Sequence, residues 1–462
     1  MRSLRDQAVA IVRRLVQAGH EAYFCGGCVR DQVLGREPVD YDVATSATPD
    51  EVQRLFPNTH PVGAKFGVVL VVSQEGAPFQ VATFRTESGY SDGRRPDAVG
   101  FAGAAEDVRR RDFTMNGLLQ DPLNGRVIDL VGGERDLAAG VVRAIGDPRE
   151  RFAEDHLRLL RAVRFAANLG FRIDEVTWDA LRELAPLIDR ISRERIRDEL
   201  LRILTGPDPA RGMRLLLETG LLAPVLPEVA RMAGVAQPPE FHPEGDVWEH
   251  TLAVLANLRD PSPELALGAL FHDVGKPPTY TERDGRIRFP DHARVGARMA
   301  EEICRRFALS GDEILAVVAL VANHMKFREA PRMRLATLKR LLAMDRIERH
   351  LELHRADLAG SGRPLDTWEF CRTRLSEFAS EPGRLRPPRL VTGHDLLALG
   401  VAPGPEIGRL LAAVDKAQLD ERVRTREEAF DFLRDRLRMR NAECGMRKEQ
   451  QKLPGSPDKE GT

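Results

Sequence analysis

The sequence predicts an α+β fold of several domains, with a strand-bearing amino-terminal part followed by regions that are helical throughout. Three observations predict it. Short β-type runs at 20–25 and 41–45 stand near the start, separated by a Gly-Gly turn. From residue 146 onward, apolar residues recur at helical spacing, as in 154–166, 252–258, 265–271 and 314–321. A chain of 462 residues with 42% hydrophobic and 30% charged side chains is long enough for about three domains.

Taken in order, residues 1–20 alternate charged and apolar positions at helical spacing and lack the unbroken apolar core of a signal peptide. The strand at 20–25 runs into Gly26 and Gly27, which let backbone N–H groups approach a triphosphate, and Arg30 adds positive charge. In the next strand, Asp40 and Asp42 are two residues apart and therefore project from one face. Carboxylates so placed can hold Mg²⁺, a hard cation that takes oxygen ligands from one or two carboxylates, water and phosphates. This pairing predicts a magnesium-dependent nucleotide site.

Further along, Arg110 and Arg111 supply cations for triphosphate oxygens, while Asp112 supplies an acceptor for ribose hydroxyls. In 154–166 helical spacing puts Asp155 and Arg158 on one face, an acceptor beside a donor. Cytosine and adenine each offer an amino donor next to a ring-nitrogen acceptor; guanine and uracil present the reverse order. The pair therefore complements CTP and ATP and mismatches GTP and UTP.

The segments GGCVRD (26–31), VDYDVATSATP (39–49), VGAKFGVVLVV (62–72), RRRDFTMNGL (from Arg109), EDHLRLLRAVRFA (154–166) and ISRERIRDEL (191–200) together resemble the bacterial tRNA nucleotidyltransferase (CCA-adding enzyme) and poly(A) polymerase family. The resemblance implies a nucleotidyltransferase head with a mixed β-sheet, followed by all-α recognition, HD and tail domains. It implies that Asp40 and Asp42 are catalytic and bind Mg²⁺, that Asp112 recognises the ribose, and that Arg111 and Asn116 support the nucleotide. Asp155 and Arg158 become a protein template for the incoming base, with Gly26, Gly27, Arg30, Arg161 and Arg164 also in the nucleotide site. The partners implied are tRNA, ATP and CTP. The segment 62–72 differs from the more basic one of the poly(A) polymerases, which favours tRNA addition. The loop 86–96 looks intact, where CC-adding relatives tend to shorten it, which favours full CCA addition; an A-adding or CC-adding specialist and a poly(A) polymerase stay open as alternatives. Cys28 and Gly117 depart from the family pattern, where alanine is common, without removing a catalytic group.

A second cluster, His250, His272-Asp273, His292, His324 and Asp357, is spread over helical segments and resembles the HD phosphohydrolase superfamily. Imidazole and carboxylate ligands suit Mg²⁺, Mn²⁺, Ni²⁺, Fe or Zn²⁺, so the divalent metal stays open. Such a site can hydrolyse phosphomonoesters or cyclic phosphates. A different class of protein also stays open: an HD phosphohydrolase whose RNA-docking head is inactive in transfer. The intact Asp40, Asp42, Asp112, Asp155 and Arg158 argue against it.

Lys plus Arg (69) nearly balances Asp plus Glu (70), so any RNA contact is a local patch, expected along the arginines from Arg158 to Arg202. Five cysteines, an odd number, fit a reducing, cytoplasmic setting. Cys25-x-x-Cys28 has no second pair to complete a zinc site. No run of about 20 apolar residues occurs, so no membrane span is expected. The expected divisions are the head at 1–145, a helical recognition and RNA-binding region at 146–235, an HD domain at 236–362, a helical tail domain at 363–438, and a disordered tail at 439–462.

Overall fold

The computed structural model describes residues 2–60, 67–89, 98–238, 240 and 245–450. The chain forms two compact units, one of Met1–Ala322 with Ala359–Gly362, the other of Asn323–Leu358 with Arg363–Thr462.

The first unit opens with α1 (Leu4–Gln17), capped by Ser3, whose hydroxyl accepts from the Asp6 amide. Its apolar stripe buries Ile11, Val12 and Leu15. Then come β1 (Ala22–Cys25), α2 (Gly27–Val33), β2 (Asp42–Thr45), α3 (Pro49–Leu55), β3 (Thr59–His60), β4 (Val68–Val72) and β5 (Pro78–Thr83). A hairpin of β6 (Arg85–Ser88) and β7 (Ala98–Phe101), then α4 (Ala104–Arg109), β8 (Leu119–Gln120) and β9 (Val127–Ile128) complete the head. The main sheet runs β3-β4-β5-β2-β1-β8-β9. Because β2 pairs parallel to β5 and antiparallel to β1, the sheet is mixed. Phe24, Val43, Val69 and Val81 are buried in it, as expected where β-branched and aromatic residues pack on a pleated face. The register sets Cys25 opposite Asp42, so the Gly-Gly turn leaving β1 lies beside the first residue of β2.

Helices follow. α5 (Gly133–Ala138) and the short β10 (Val141–Val142) lead to α6 (Pro148–Glu154) and α7 (Leu157–Leu169), which Gly170 ends in the left-handed region at φ 74°. After β11 (Arg172–Ile173), parallel to β10, come α8 (Glu175–Leu184) and α9 (Arg193–Leu204). The HD segments are helices Val247–Ala256, Pro263–Phe271, His292–Arg306 and Gly311–Asn323.

The expectation of one helix face carrying Asp155 and Arg158 is corrected here. Asp155 is the extended C-cap of α6 (φ −137°, ψ 103°), and Arg158 lies in α7, so a break falls between the two. The expected disorder from residue 439 is also revised, because the last helix runs Arg426–Gln450. Its sequence has little periodicity, but Arg, Glu, Met, Lys and Gln are all good helix formers, and propensity needs no buried face. Residues 451–462 lie outside the described residues, as do 62–66 and 90–97, which bear on the choice among family members. No helix among the described residues is long and apolar enough to cross a membrane.

The second unit packs Phe327, Leu341, Leu342, Leu351, Cys371 and Phe378 into one core and Val391, Leu396, Val414, Ala429 and Leu433 into another. His350 and His354, one helical turn apart, lie against the Phe327 ring at 6.0 and 5.7 Å between centroids. They are only 4% and 1% exposed, and neither Nδ1 has a hydrogen-bond partner among the described residues. Burial pushes both imidazoles down to about 4 from 6.5. Between these values the unfolded chain binds more protons, so stability is complete above pH 6.5 and falls as pH drops towards 4. The loss is at most roughly 3 kcal/mol apiece. Urea-unfolding midpoints from pH 7 to 4.5 are expected to fall steeply in the wild type and less in a His350→Leu/His354→Leu variant; parallel slopes would refute the assignment.

Candidate active site

The turn after β1 is possible because Gly26 takes φ 71°, a left-handed angle that favours glycine, and a Cβ there would meet Arg111 Nη1 at 3.5 Å. Asp42 is half-buried at the start of β2, and Asp40 is exposed just before it. Burial, followed by the like charge of Asp40, pushes the Asp42 carboxyl up to about 6 against the pull of Arg111. Two oxygen donors that repel one another at one strand end fit a divalent hard cation.

Asp112 is the hub of a hydrogen-bond network. Its Oδ1 accepts from the Phe113 amide at 2.8 Å and from Asn116 Nδ2 at 3.1 Å; its Oδ2 accepts from Arg161 Nε at 2.9 Å and Nη2 at 2.5 Å. Burial works to raise this carboxyl, but Arg161 and Asn116 outweigh it and hold it at about 2. About four lone-pair directions are thereby used. Asp112 so placed orients Arg161 and Asn116, and a ribose hydroxyl has to displace one of these donors to reach it. Asn116 in turn accepts from Arg30 Nη1 at 3.1 Å. Arg111 is held by Asp107 through Nε (3.2 Å) and Nη2 (2.9 Å).

At the break between α6 and α7 the two base-edge candidates do not pair with each other. Asp155 accepts from Arg195 at 3.4 and 3.2 Å. Arg158 donates to Glu154 Oε2 at 2.6 Å and to the carbonyls of Arg151 and Arg110, each at 2.9 Å. Each is thus steadied from outside, by Arg195 on α9 and by Glu154 at the end of α6. Sequence reasoning passed over Glu154, Glu199 and Phe165, and placed Arg195 only among the arginines expected to contact RNA. Glu199, 3% exposed, pairs with Arg164 at 3.1 Å and Arg202 at 3.3 Å. The i, i+4 spacing of Arg195 and Glu199 inside 191–200 was a visible signal; the partners across the fold were not.

All twelve head candidates, Gly26, Gly27, Arg30, Asp40, Asp42, Arg111, Asp112, Asn116, Asp155, Arg158, Arg161 and Arg164, line one cavity of about 710 Å³. The C-x-x-C thiols of Cys25 and Cys28 are free and buried, and burial pushes Cys28 up to about 12, so it stays a neutral thiol.

Four of the HD residues, His250, His272, Asp273 and His292, lie elsewhere in the first unit. Ligand atoms of His250, His272 and Asp273 fall within 4.8 Å of one another. The two Nε2 atoms of His250 and His272 are 3.2 Å apart, Asp273 Oδ2 is 3.2 Å from His272 Nε2, and Asp273 Oδ1 is 3.5 Å from His292 Nε2. Nδ1 of His272 donates to the Ala269 carbonyl at 2.7 Å, and that of His292 to the Phe289 carbonyl at 3.0 Å. With Nδ1 of each ring given to a carbonyl, Nε2 is the nitrogen that each ring would offer to a metal. Burial works to raise Asp273, but His272 and Lys276, whose Nζ is 2.7 Å away, hold it well below the usual carboxylate range. Gly275 permits this assembly, since a Cβ there would lie 2.1 Å from the His292 carbonyl oxygen. His324, at the start of the 3₁₀ segment His324–Arg332, and Asp357, in helix Ile347–Gly360, belong to the second unit.

Residues 22–143 match the poly A polymerase head domain, 170–232 the probable RNA and SrmB-binding site of polymerase A, and 247–358 the HD domain; nucleotidyltransferase and HD families are metal-dependent. Over 217 residues the chain is 49% identical to the CCA-adding enzyme of Geobacillus sp. (strain WCH70), a match covering 47% of this chain and 53% of that one. The chain thus spans about half the length of that relative. Another match, to the CCA-adding enzyme of Geobacillus stearothermophilus, is 34% identical over 446 residues and covers 95% of this chain and 99% of that one. The crystal structure of the Bacillus stearothermophilus CCA-adding enzyme in complex with CTP superposes with a TM-score of 0.74 at 32% identity, over 96% of this chain and 100% of that one. The Thermotoga maritima CCA-adding enzyme complexed with tRNA shares the fold, with a TM-score of 0.59 at 19% identity, over 93% of this chain and 94% of that one. An alignment that runs from end to end of both chains at one-third identity places the protein in the family of CCA-adding enzymes.

Proposed function

We propose that the protein is a template-independent RNA nucleotidyltransferase that adds CCA to the 3′ end of tRNA from CTP and ATP in the cytoplasm, and that its HD residues add a metal-dependent phosphohydrolase activity. The observation that carries the first part is the single cavity in which Asp40 and Asp42 share walls with the arginine cluster and with Asp155 and Arg158. In this reading Asp40 and Asp42 hold Mg²⁺. The ion would supply Lewis-acid activation for the transfer and charge neutralisation for the leaving pyrophosphate. Gly26 and Gly27 let the triphosphate come close to the backbone, and Arg30, Arg111, Arg161 and Arg164 offset its charge. Asp112 fixes Arg161 and Asn116 and meets the ribose. Asp155 accepts from the amino group of cytosine or adenine while Arg158 donates to the adjacent ring nitrogen; guanine and uracil leave both groups unpaired. The head at 1–145 and the helical region at 146–235 together form this site.

His250, His272, Asp273 and His292 would hold a divalent metal, which supplies an activated water for phosphoester hydrolysis. His272→Ala or Asp273→Ala is expected to remove phosphatase or cyclic phosphodiesterase activity and to leave CCA addition at the wild-type rate. The check is hydrolysis of 2′,3′-cyclic AMP and p-nitrophenyl phosphate with Mg²⁺, Mn²⁺, Ni²⁺ and Co²⁺ in turn. No hydrolysis by the wild type with any of them would make the HD region structural.

The transfer reading is tested by offering the protein a tRNA transcript that lacks its CCA end. CTP alone is expected to give addition of CC, ATP alone none, and both together CCA. Addition of A to a tRNA already ending in CC, without CTP use, identifies an A-adding specialist. Arrest after CC with both nucleotides identifies a CC-adding one, and long A tails on unstructured RNA a poly(A) polymerase.

A further inference from the structure

Phe165 is an aromatic residue lining the catalytic cavity, and three guanidinium carbons surround its ring: Arg164 at 4.3 Å from the centroid, Arg30 at 5.3 Å and Arg161 at 5.4 Å. Two belong to α7 itself, one turn and one residue before it; the third comes from α2. The ring is 9% exposed and is braced edge-on by Phe113, at 5.8 Å and 79°. Each guanidinium also has an anchor of its own: Asn116 and Asp31 for Arg30, Asp112 for Arg161, Glu199 for Arg164.

We propose that Phe165 is a positioning residue whose ring gathers Arg30, Arg161 and Arg164 into one triphosphate-binding cluster before the nucleotide arrives. Three like charges repel one another, and Asp31, Asp112 and Glu199 each hold only one of the three guanidiniums. The ring, which attracts cations through its quadrupole, is the one partner that all three share, and it takes up none of their remaining N–H donors. Burial foremost pushes Arg164 down to about 10 against the pull of Glu199, with Arg161 and Arg202 adding to it. With a guanidinium 4.3 Å from its centroid, the ring already has a cationic partner, and a stacked base is not needed to explain its place.

This inference rests on the nucleotidyl-transfer reading, and inorganic tripolyphosphate separates the two. In the wild type it is expected to displace CTP; if it does not, the triphosphate site itself is misplaced and the inference falls with it. Given displacement, Phe165→Leu is expected to weaken tripolyphosphate, CTP and ATP by one common factor of about tenfold, with the preference of CTP over UTP unchanged. Phe165→Trp is expected to restore binding. Because leucine also alters packing against Phe113, phenylalanine analogues with increasing ring fluorination keep the shape and weaken the quadrupole; affinity for tripolyphosphate is expected to fall stepwise along the series. Equal affinity across the fluorinated series, or loss confined to one nucleoside triphosphate with tripolyphosphate unaffected, overturns the proposal and makes Phe165 a packing or base-stacking residue.

Discussion

Asp42→Ala is expected to lower nucleotide addition by about a thousandfold or more, and Asp40→Ala by a similar factor. Both oxygens that would hold Mg²⁺ at the cavity wall come from these side chains, and a metal aligned on a transferring phosphoryl group supplies several kcal/mol of transition-state stabilisation. Single-turnover incorporation of labelled CMP into a tRNA transcript lacking CCA reads the loss directly. Hydrolysis by the HD residues should persist, since none of them lines the catalytic cavity. Equal loss of both activities in a folded Asp42→Ala protein would sink the assignment of two separate sites. The same carboxyl gives the reaction a pH limit: with Asp42 pushed up to about 6, a proton competes with Mg²⁺ below that value, and apparent Mg²⁺ affinity should weaken as pH falls through it.

Asp155→Ala and Arg158→Ala are each expected to cost about 1 to 3 kcal/mol of base discrimination, roughly five- to a hundred-and-fiftyfold in the preference for CTP and ATP over UTP and GTP. Primer binding should change far less. The geometry explains why a single substitution suffices. Asp155 is steadied by Arg195 and Arg158 by Glu154, so neither residue can take over the orientation of the other, and each deletion removes one of the two groups facing the base edge. Relative kcat/KM for the four nucleotides, measured beside tRNA affinity at one salt concentration, separates selectivity from phosphate contacts. Continued exclusion of UTP and GTP at the wild-type level in both variants would mean that these side chains do not read the base.

What the sequence made legible was local. A Gly-Gly pair between two apolar runs announced the turn at 26–27, because it depends on a few adjacent residues; the strand repeat expected for Asp40 and Asp42 does not reach Asp40, since β2 begins at Asp42, although both residues line one cavity. The break between α6 and α7 was hidden. Glu154-Asp155-His156 contains no proline or glycine to mark it, and the apolar spacing continues through Leu159 and Val163 as if one helix ran on. Ion-pair partners were hidden for a different reason. Arg195 reaches Asp155 across 40 positions and Arg161 reaches Asp112 across 49, and those encounters exist only once the sheet and helices have packed. Phe165 passed as one more apolar position of α7, since its neighbour Arg30 comes from the far side of the head.

The close approach of Gly275 to the His292 carbonyl bears on how relatives of this protein should be interpreted. The constraint at 275 comes from backbone meeting backbone, so it outlasts the chemistry around it. A relative that lacked His250, His272 or His292 would still need glycine here for as long as this turn lies that close to the start of helix His292–Arg306. Glycine at this position therefore reports the close backbone approach and says nothing of whether the site works.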